Sequence, residues 1–363
     1  MLALVAAACA SGRGPTPPAG VAVAPSQVDV ASPPVAPPTP AAAPEAPPRV
    51  AESRVTSAID LPAPSTVRVR VTDGRGTRIL TLPLDEYVLG AVRAELPRRP
   101  QRDDTVTRVL QVQAVVSRTY ALANLHRHEA EGFDLCDSTH CQAYRPRLPT
   151  ESDSDLAARA VRATRDQIIT HQGRVIQALF HADCGGHTTS AESVWGGSDA
   201  PYLRPVPDFF CTRKTARPWT FSTDGTSLRR ALNSDARTEI GPRLSRIEVI
   251  DRDLSGRAIL VALAGAQSPT VRAEEFRTVV RRVFGPRSIR STWFNVTRHG
   301  QRFVFTGVGY GHGVGLCQAG ALQRAKAGQS PADIIAHYFP STRVQPASTA
   351  MLAPSPALRH LGH

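Results

Sequence analysis

From residue 65 onward, apolar and polar positions fall into distinct periods. Val67, Val69 and Val71 alternate with Arg68 and Arg70, the two-residue repeat of a half-buried strand. Asp73-Gly74-Arg75-Gly76 is a turn, and Ile79, Leu80 and Leu82 begin a return strand, so a hairpin is predicted. The period then changes. At about 100° per residue, Leu84, Val88, Ala91 and Val92 share one face of a short helix. Asp85 and Glu86 suit the positive end of its dipole, and Pro97 stops it. Glu95 falls on the apolar face too. Desolvation raises the pKa of such a carboxyl, which is what a general acid needs at neutral pH. The other reading is a structural ion pair with a buried arginine.

Residues 105 to 128 predict a second helix, because Val109, Leu110, Ala114, Val115, Ala121, Leu122 and Leu125 recur at helical intervals. Gln113, Ser117 and Arg118 lie among them. A loop holding Cys136, His140 and Cys141 follows, between Phe133 and Tyr144. Residues 151 to 165 form another amphipathic helix, and strands are expected on either side of Gln172-Gly173. Residues 181 to 211 are loop-like and rich in glycine and aromatics, the composition of a surface that holds something. From about 218 to 296, a helix, a hairpin and a second helix predict an embedded smaller α/β subdomain. Gly307, Gly309, Gly311, Gly313 and Gly315 then occupy alternate positions. In extended chain, one face of this stretch carries no side chains. It would be open to a ligand or to close packing with another strand.

Composition changes the picture at both ends. Residues 11 to 50 hold twelve of the 31 prolines and four charged residues, so this part is a tether rather than a core. Met1 to Cys9 is an apolar run ending in small residues and a cysteine. It is similar to the end of a bacterial lipoprotein signal with Cys9 as the lipidated residue, although it is short and lacks a basic start. An exported, envelope-localised protein, periplasmic or held to the membrane by that lipid, is expected. The net charge of +12 favours an acidic partner. Nucleic acid is excluded as that partner because the basic residues are scattered and not interleaved with aromatics.

Several ordered stretches resemble the SpoIID/LytB family, named for stage II sporulation protein D and an amidase enhancer. They are Leu82-Pro83-Leu84-Asp85-Glu86-Tyr87-Val88-Leu89-Gly90, Glu95-Leu96-Pro97, Gln113 to Ala121, Cys184-Gly185-Gly186, Val194-Trp195-Gly196, Pro201-Tyr202-Leu203 and Gly311 to Gln318. The resemblance implies a lytic transglycosylase acting on peptidoglycan glycan strands free of stem peptides, leaving 1,6-anhydro-muramyl ends. It places the catalytic glutamate at Glu95. It also implies an alternative, a non-enzymatic glycan-binding enhancer of a cell-wall amidase.

Glycoside hydrolysis ordinarily uses two carboxylates, and only one is well placed here, which agrees with an intramolecular attack by the sugar's own 6-hydroxyl. Arg118 is expected to hold a sugar carboxylate or orient Glu95, or else to sit in a structural ion pair. Gln113, Tyr202, His312 and Gln318 are expected groove contacts, and Trp195 a core residue. Cys136, His140 and Cys141, with His126 or His128 as the fourth donor and His128 the preferred one, have the proximity of a structural zinc site. Some family members resemble the chain in carrying zinc here. A Cys136–Cys141 disulfide is the alternative. Cys184 and Cys211 are expected to form a disulfide, and Cys317 to be a buried thiol.

The expected fold is α+β: helices and antiparallel hairpins around a glycan-binding groove. The expected organisation is a signal at 1–9, a Pro/Ala-rich linker at 10–60, a SpoIID-like catalytic domain at 61–345 and a disordered tail at 346–363.

Overall fold

The computed structural model describes residues 66–350, except residues 75, 96–103, 149, 151, 153–154, 198–199 and 212–217. Cys9 with its expected signal, the expected linker, and Leu96 and Pro97 lie outside the described residues. The architecture is mixed α+β, with eight helices and several small sheets among the described residues.

Strands β1 (Thr66–Asp73) and β2 (Gly76–Pro83) form the expected antiparallel hairpin, with Val67 opposite Leu82 and Val69 opposite Leu80. Val67, Val69 and Val71 are buried, and the intervening arginines are half-exposed. Helix α1 (Leu84–Glu95) follows without a loop. Helix α2 (Asp104–Ala123) is buried on every side from Val112 to Ala123, so it runs through the middle of the fold. Strand β3 (Leu135–Cys136) adds to β1 in parallel. Helix α3 (Leu156–Ala163) is shorter than the pattern suggests, because the Asp155 carboxylate caps it by accepting the Ala158 N–H. Val67, Val69, Val88, Val92, Leu110, Leu135 and Val161 form one core among these elements.

Strands β4 (Gln167–His171) and β5 (Arg174–Val175) make a tight hairpin, and β6 (Phe180–His181) and helix α4 (Ala191–Trp195) follow. The embedded segment comes next. It contains β7 (Trp219–Asp224), α5 (Gly225–Leu232), β8 (Leu244–Arg252), β9 (Ala258–Gly265), β10 (Thr270–Arg272), α6 (Ala273–Phe284), β11 (Phe294–His299) and β12 (Arg302–Gly307). β12 lies between β11 and β7, so the segment closes on itself only at Gly307, beyond the expected boundary near 296. Trp219, Leu228, Val261, Phe276, Phe294 and Phe305 give it its own core.

The chain returns through β13 (Leu316–Cys317), parallel to β6, into α7 (Gln318–Lys326) and α8 (Pro331–Tyr338). Strand β14 (Arg343–Pro346) pairs with β4. Ala347 is buried with Leu122, Ile168 and Val175, so order continues past the expected start of the tail. No helix of the described residues is long and apolar enough to cross a membrane.

The glycine-rich stretch corrects its expectation. It is not an extended lane: Gly309, Gly311, Gly313 and Gly315 all have positive φ, between 71° and 106°. A Cβ at Gly315 would lie 2.2 Å from the Leu179 carbonyl oxygen, and one at Gly311 2.8 Å from His181 Cβ. The glycines thus serve a left-handed backbone packed against residues 179–184, and the room they leave is filled by the protein itself.

Candidate active site and metal centre

Glu95 ends α1 on the face that carries the buried Val88, Ala91 and Val92. It is half-buried, and burial raises its pKa above the ordinary carboxyl value. Two hydrogen bonds oppose that shift, one from the Gln318 side chain and one from the Ala143 backbone N–H. Both partners are neutral. The buried arginines nearby are engaged elsewhere. Arg93 pairs with Asp155 at 2.6 Å, and Arg118 with Asp85 at 2.9 Å.

Behind Glu95 runs a polar chain through the core. Gln318 Nε2 donates to Gln113 Oε1 at 3.3 Å, and Gln113 Nε2 to Ser117 Oγ at 3.1 Å. Gln142 Nε2 donates to the same Ser117 oxygen at 2.8 Å, and the Tyr87 hydroxyl donates to Gln142 Oε1 at 3.0 Å. The start of α7, the middle of α2, the 142–144 loop and α1 are therefore locked around one carboxyl. Of the expected groove contacts, Gln318 reaches Glu95 and Gln113 reaches Gln318. Gln142 and Tyr87 are site neighbours beyond those expected from the sequence. Their only signal is a polar atom inside a buried stretch, 55 residues apart in the chain.

Arg118 does not join this group. Only 1% of it is exposed, and besides Asp85 it donates to the carbonyls of Thr164, Gln167 and Val161. It fastens the C-terminal end of α3 to α2, which is the ion-pair reading. Tyr202 is buried in the core, its ring against His171. His312 donates from Nε2 to the Phe180 carbonyl and accepts at Nδ1 from the Val314 N–H. It is thus neutral, and burial holds its pKa down at about 3. Trp195 packs on His312 and is half-buried. A cleft of about 370 Å³ opens elsewhere on α1, between Asp85, Glu86, Arg93, Arg147 and Arg165. Glu95 is not among its lining residues, so it is not the expected groove.

The 126–141 loop gathers four donor atoms. Those of His128, Cys136, His140 and Cys141 all lie within 4.8 Å of one another. His128 Nε2 is 3.3 Å from Cys141 Sγ, and His140 Nδ1 is 3.6 Å from each sulfur. The sulfurs are free, so the alternative disulfide is not formed. Of the two candidate histidines it is His128 that enters, while His126 turns to Asp134 and Glu129. The residues fit a tetrahedral soft ion. The Glu131 carboxylate, 2.5 Å from His128 Nδ1, fixes that proton and leaves the Nε2 lone pair for a metal. The hydrogen bond between the two thiols draws the Cys136 pKa down and pushes that of Cys141 up, so the pair shares one thiolate in the absence of an ion.

Cys184 and Cys211 are also free, so the expected disulfide between them is absent from the structure. Cys317 is the expected buried thiol, and it caps α7 by accepting the Gly320 N–H.

The family model for SpoIID, stage II sporulation protein, matches residues 72–171, from the hairpin through β4. A model for a domain of unknown function (DUF8618) matches residues 211–315, the embedded segment. An uncharacterized protein of Brachyspira hyodysenteriae is 30% identical over 260 residues, 71% of this chain, which spans 65% of that protein's length. Stage II sporulation protein D of Bacillus amyloliquefaciens is 28% identical over 297 residues, 78% of this chain and 80% of that one. An amidase enhancer of Bacillus subtilis is 24% identical over 276 residues, 64% of this chain and 37% of that one. Glu95, Gln113 and their helices lie inside residues 72–171, which match the SpoIID family, and the chain is similar over most of its length to stage II sporulation protein D.

Proposed function

We propose that this protein is a cell-wall lytic transglycosylase that cleaves stem-free peptidoglycan glycan strands, with Glu95 as the general acid and then the general base. The observation that carries this reading is a single half-buried carboxyl with a raised pKa, held by two neutral donors at the end of a helix. Protonated Glu95 gives its proton to the glycosidic oxygen as the bond to C1 breaks. The carboxylate left behind takes the proton of the muramyl 6-hydroxyl while that oxygen bonds to C1. The 1,6-anhydro ring closes and Glu95 is reprotonated, so no water and no second carboxylate are needed. Gln318 and the Ala143 N–H position the carboxyl and stabilise its charged form between the two proton transfers.

In this reading, zinc held by His128, Cys136, His140 and Cys141 is structural. Such a tetrahedral ion would fix the loop that leads into Gln142 and Ala143. A second reading, a glycan-binding enhancer of an amidase, is favoured by one observation, the name of the Bacillus subtilis relative. Incubation with stem-free strands, followed by mass spectrometry of the ends, separates the two. Anhydro-muramyl ends that vanish with Glu95→Gln are expected. Hydrolysed reducing ends would make the enzyme a muramidase, and intact strands would leave the enhancer.

A further inference from the structure

A second cluster of metal-type donors lies apart from the 126–141 loop and plays no part in the chemistry above. Cys184, Asp208, Cys211 and Cys317 come together from three segments of the chain, and their donor atoms all lie within 4.8 Å of one another. All four residues are buried, Asp208 completely. Cys184 Sγ is 3.6 Å from Asp208 Oδ2, about the edge of a tetrahedron built with metal–sulfur bonds near 2.3 Å.

The surroundings are those of an anionic centre. Cys317 Sγ accepts from the N–H groups of Cys184 at 3.2 Å and Gly320 at 3.3 Å, and Cys184 Sγ from the Gly186 N–H at 3.4 Å, while the Cys184 thiol donates to Asp208 Oδ2 and the Cys211 thiol to Asp183 Oδ1 at 3.2 Å. The Asp208 carboxylate is oriented from outside. Tyr338 donates its hydroxyl to Oδ2 at 2.6 Å, and Arg324 reaches Oδ1 at 3.3 Å. Gly320 has no side chain where a Cβ would meet Asp208 Oδ2 at 2.0 Å, so the first turn of α7 is shaped to admit that carboxylate. A second arginine, Arg257, is 1% exposed and donates to the Cys184 carbonyl, while its Nε and Nη1 have no hydrogen-bond partner. Buried cations of this kind need compensating negative charge. Asp253 and Glu274 supply part of it for Arg257, and thiolates around a divalent ion would add to it from the Cys184 side.

We propose that Cys184, Asp208, Cys211 and Cys317 hold a second, structural zinc ion in a closed site. Thiolate donors select a soft divalent cation, and the four donors leave no open position for a substrate. On binding, the thiols release their protons to solvent as sulfur–metal bonds form, so no electrons are transferred. The ion ties Cys184 and Cys211, at the two ends of the 184–211 loop, to the start of α7. Gln318 is the next residue after Cys317, so the ion also steadies the side chain that hydrogen-bonds Glu95.

Zinc analysis of the purified full chain tests this separately from the site in the 126–141 loop. The Cys136→Ser/Cys141→Ser protein is expected to keep one tightly held zinc per chain and to lose it when Cys211→Ser is added. A folded Cys136→Ser/Cys141→Ser protein without zinc overturns the proposal, as does retention of its zinc after Cys211→Ser. If that variant does not fold, zinc-edge X-ray absorption of the wild-type protein decides. A first shell with more sulfur than nitrogen and oxygen together supports the second site. Equal numbers of sulfur and nitrogen, or a disulfide among Cys184, Cys211 and Cys317 in the peptide map, refute it.

Discussion

A carboxyl that must give a proton and take one back needs a pKa near the working pH, and Glu95 approaches this through burial alone. The two hydrogen bonds it accepts pull the other way, so each should be visible in kinetics. Gln318→Leu removes a donor that favours the charged form. The alkaline limb of kcat/KM is then expected to move to higher pH, as read from a pH–rate profile; an unmoved limb would mean that another group supplies the proton. Glu95→Gln should lower cleavage by about 10²–10⁴-fold, the usual worth of a positioned acid–base group. It also has a stability signature. Between the ordinary carboxyl pKa and the raised one, the folded chain holds a proton that the unfolded chain has released. The stability owed to this group is therefore complete in acid and declines as pH rises through the raised value. Wild-type and Glu95→Gln proteins should have matching urea midpoints in acid, with the variant the more stable in mildly alkaline buffer. Equal midpoints at both pH values would show that the carboxyl is not desolvated.

At the scale of elements, α1 aims Glu95, and the 142–144 loop must come close enough to deliver the Ala143 N–H. Gly90 sets that approach. A Cβ there would sit 2.3 Å from Tyr144 Cε2 and 2.8 Å from the Arg145 carbonyl oxygen. Tyr87, three residues earlier, stacks on Tyr144 with centroids 5.5 Å apart. Gly90→Ala is expected to push the loop away at a cost of about 1–3 kcal/mol, typical of overpacking. It should also lower kcat more than the stability loss alone accounts for, when both are measured at a temperature where the variant is folded. An unaltered melting temperature would mean that the loop yields without strain. The hairpin, α1 and the placement of Glu95 were legible in the chain because each depends on a local period. Arg118 was ambiguous because its partners are set by tertiary packing: Asp85 stands 33 residues before it and Thr164 46 after it. The glycine repeat misled for a different reason. Alternate glycines suit an extended strand and a left-handed path equally well, and only the Leu179 and His181 backbones against them decide between the two. Thiol pairing was equally hidden, since Cys184 and Cys317 are 133 residues apart.

For the whole molecule, net charge and the proton-transfer group play different parts. The chain carries +12, from 43 Lys and Arg against 31 Asp and Glu, while the hydrogen-bond partners of Glu95 among the described residues are neutral. Long-range attraction should therefore gather a polyanionic strand without altering the proton transfers. Stem-free glycan is such a strand, because each freed lactyl group is a carboxylate. Screening lengths fall from about 30 Å in 0.01 M salt to about 8 Å in 0.15 M, which removes distant contributions and spares contacts inside a desolvated site. KM for stem-free strands is accordingly expected to rise several-fold over that range, with kcat nearly constant, in steady-state assays of anhydro-end formation. Strands whose lactyl carboxylates have been converted to amides should show little salt dependence. A kcat that falls with salt while KM holds steady would place the decisive charges at the reacting bond. It would then be wrong to describe Glu95 as working between neutral partners alone.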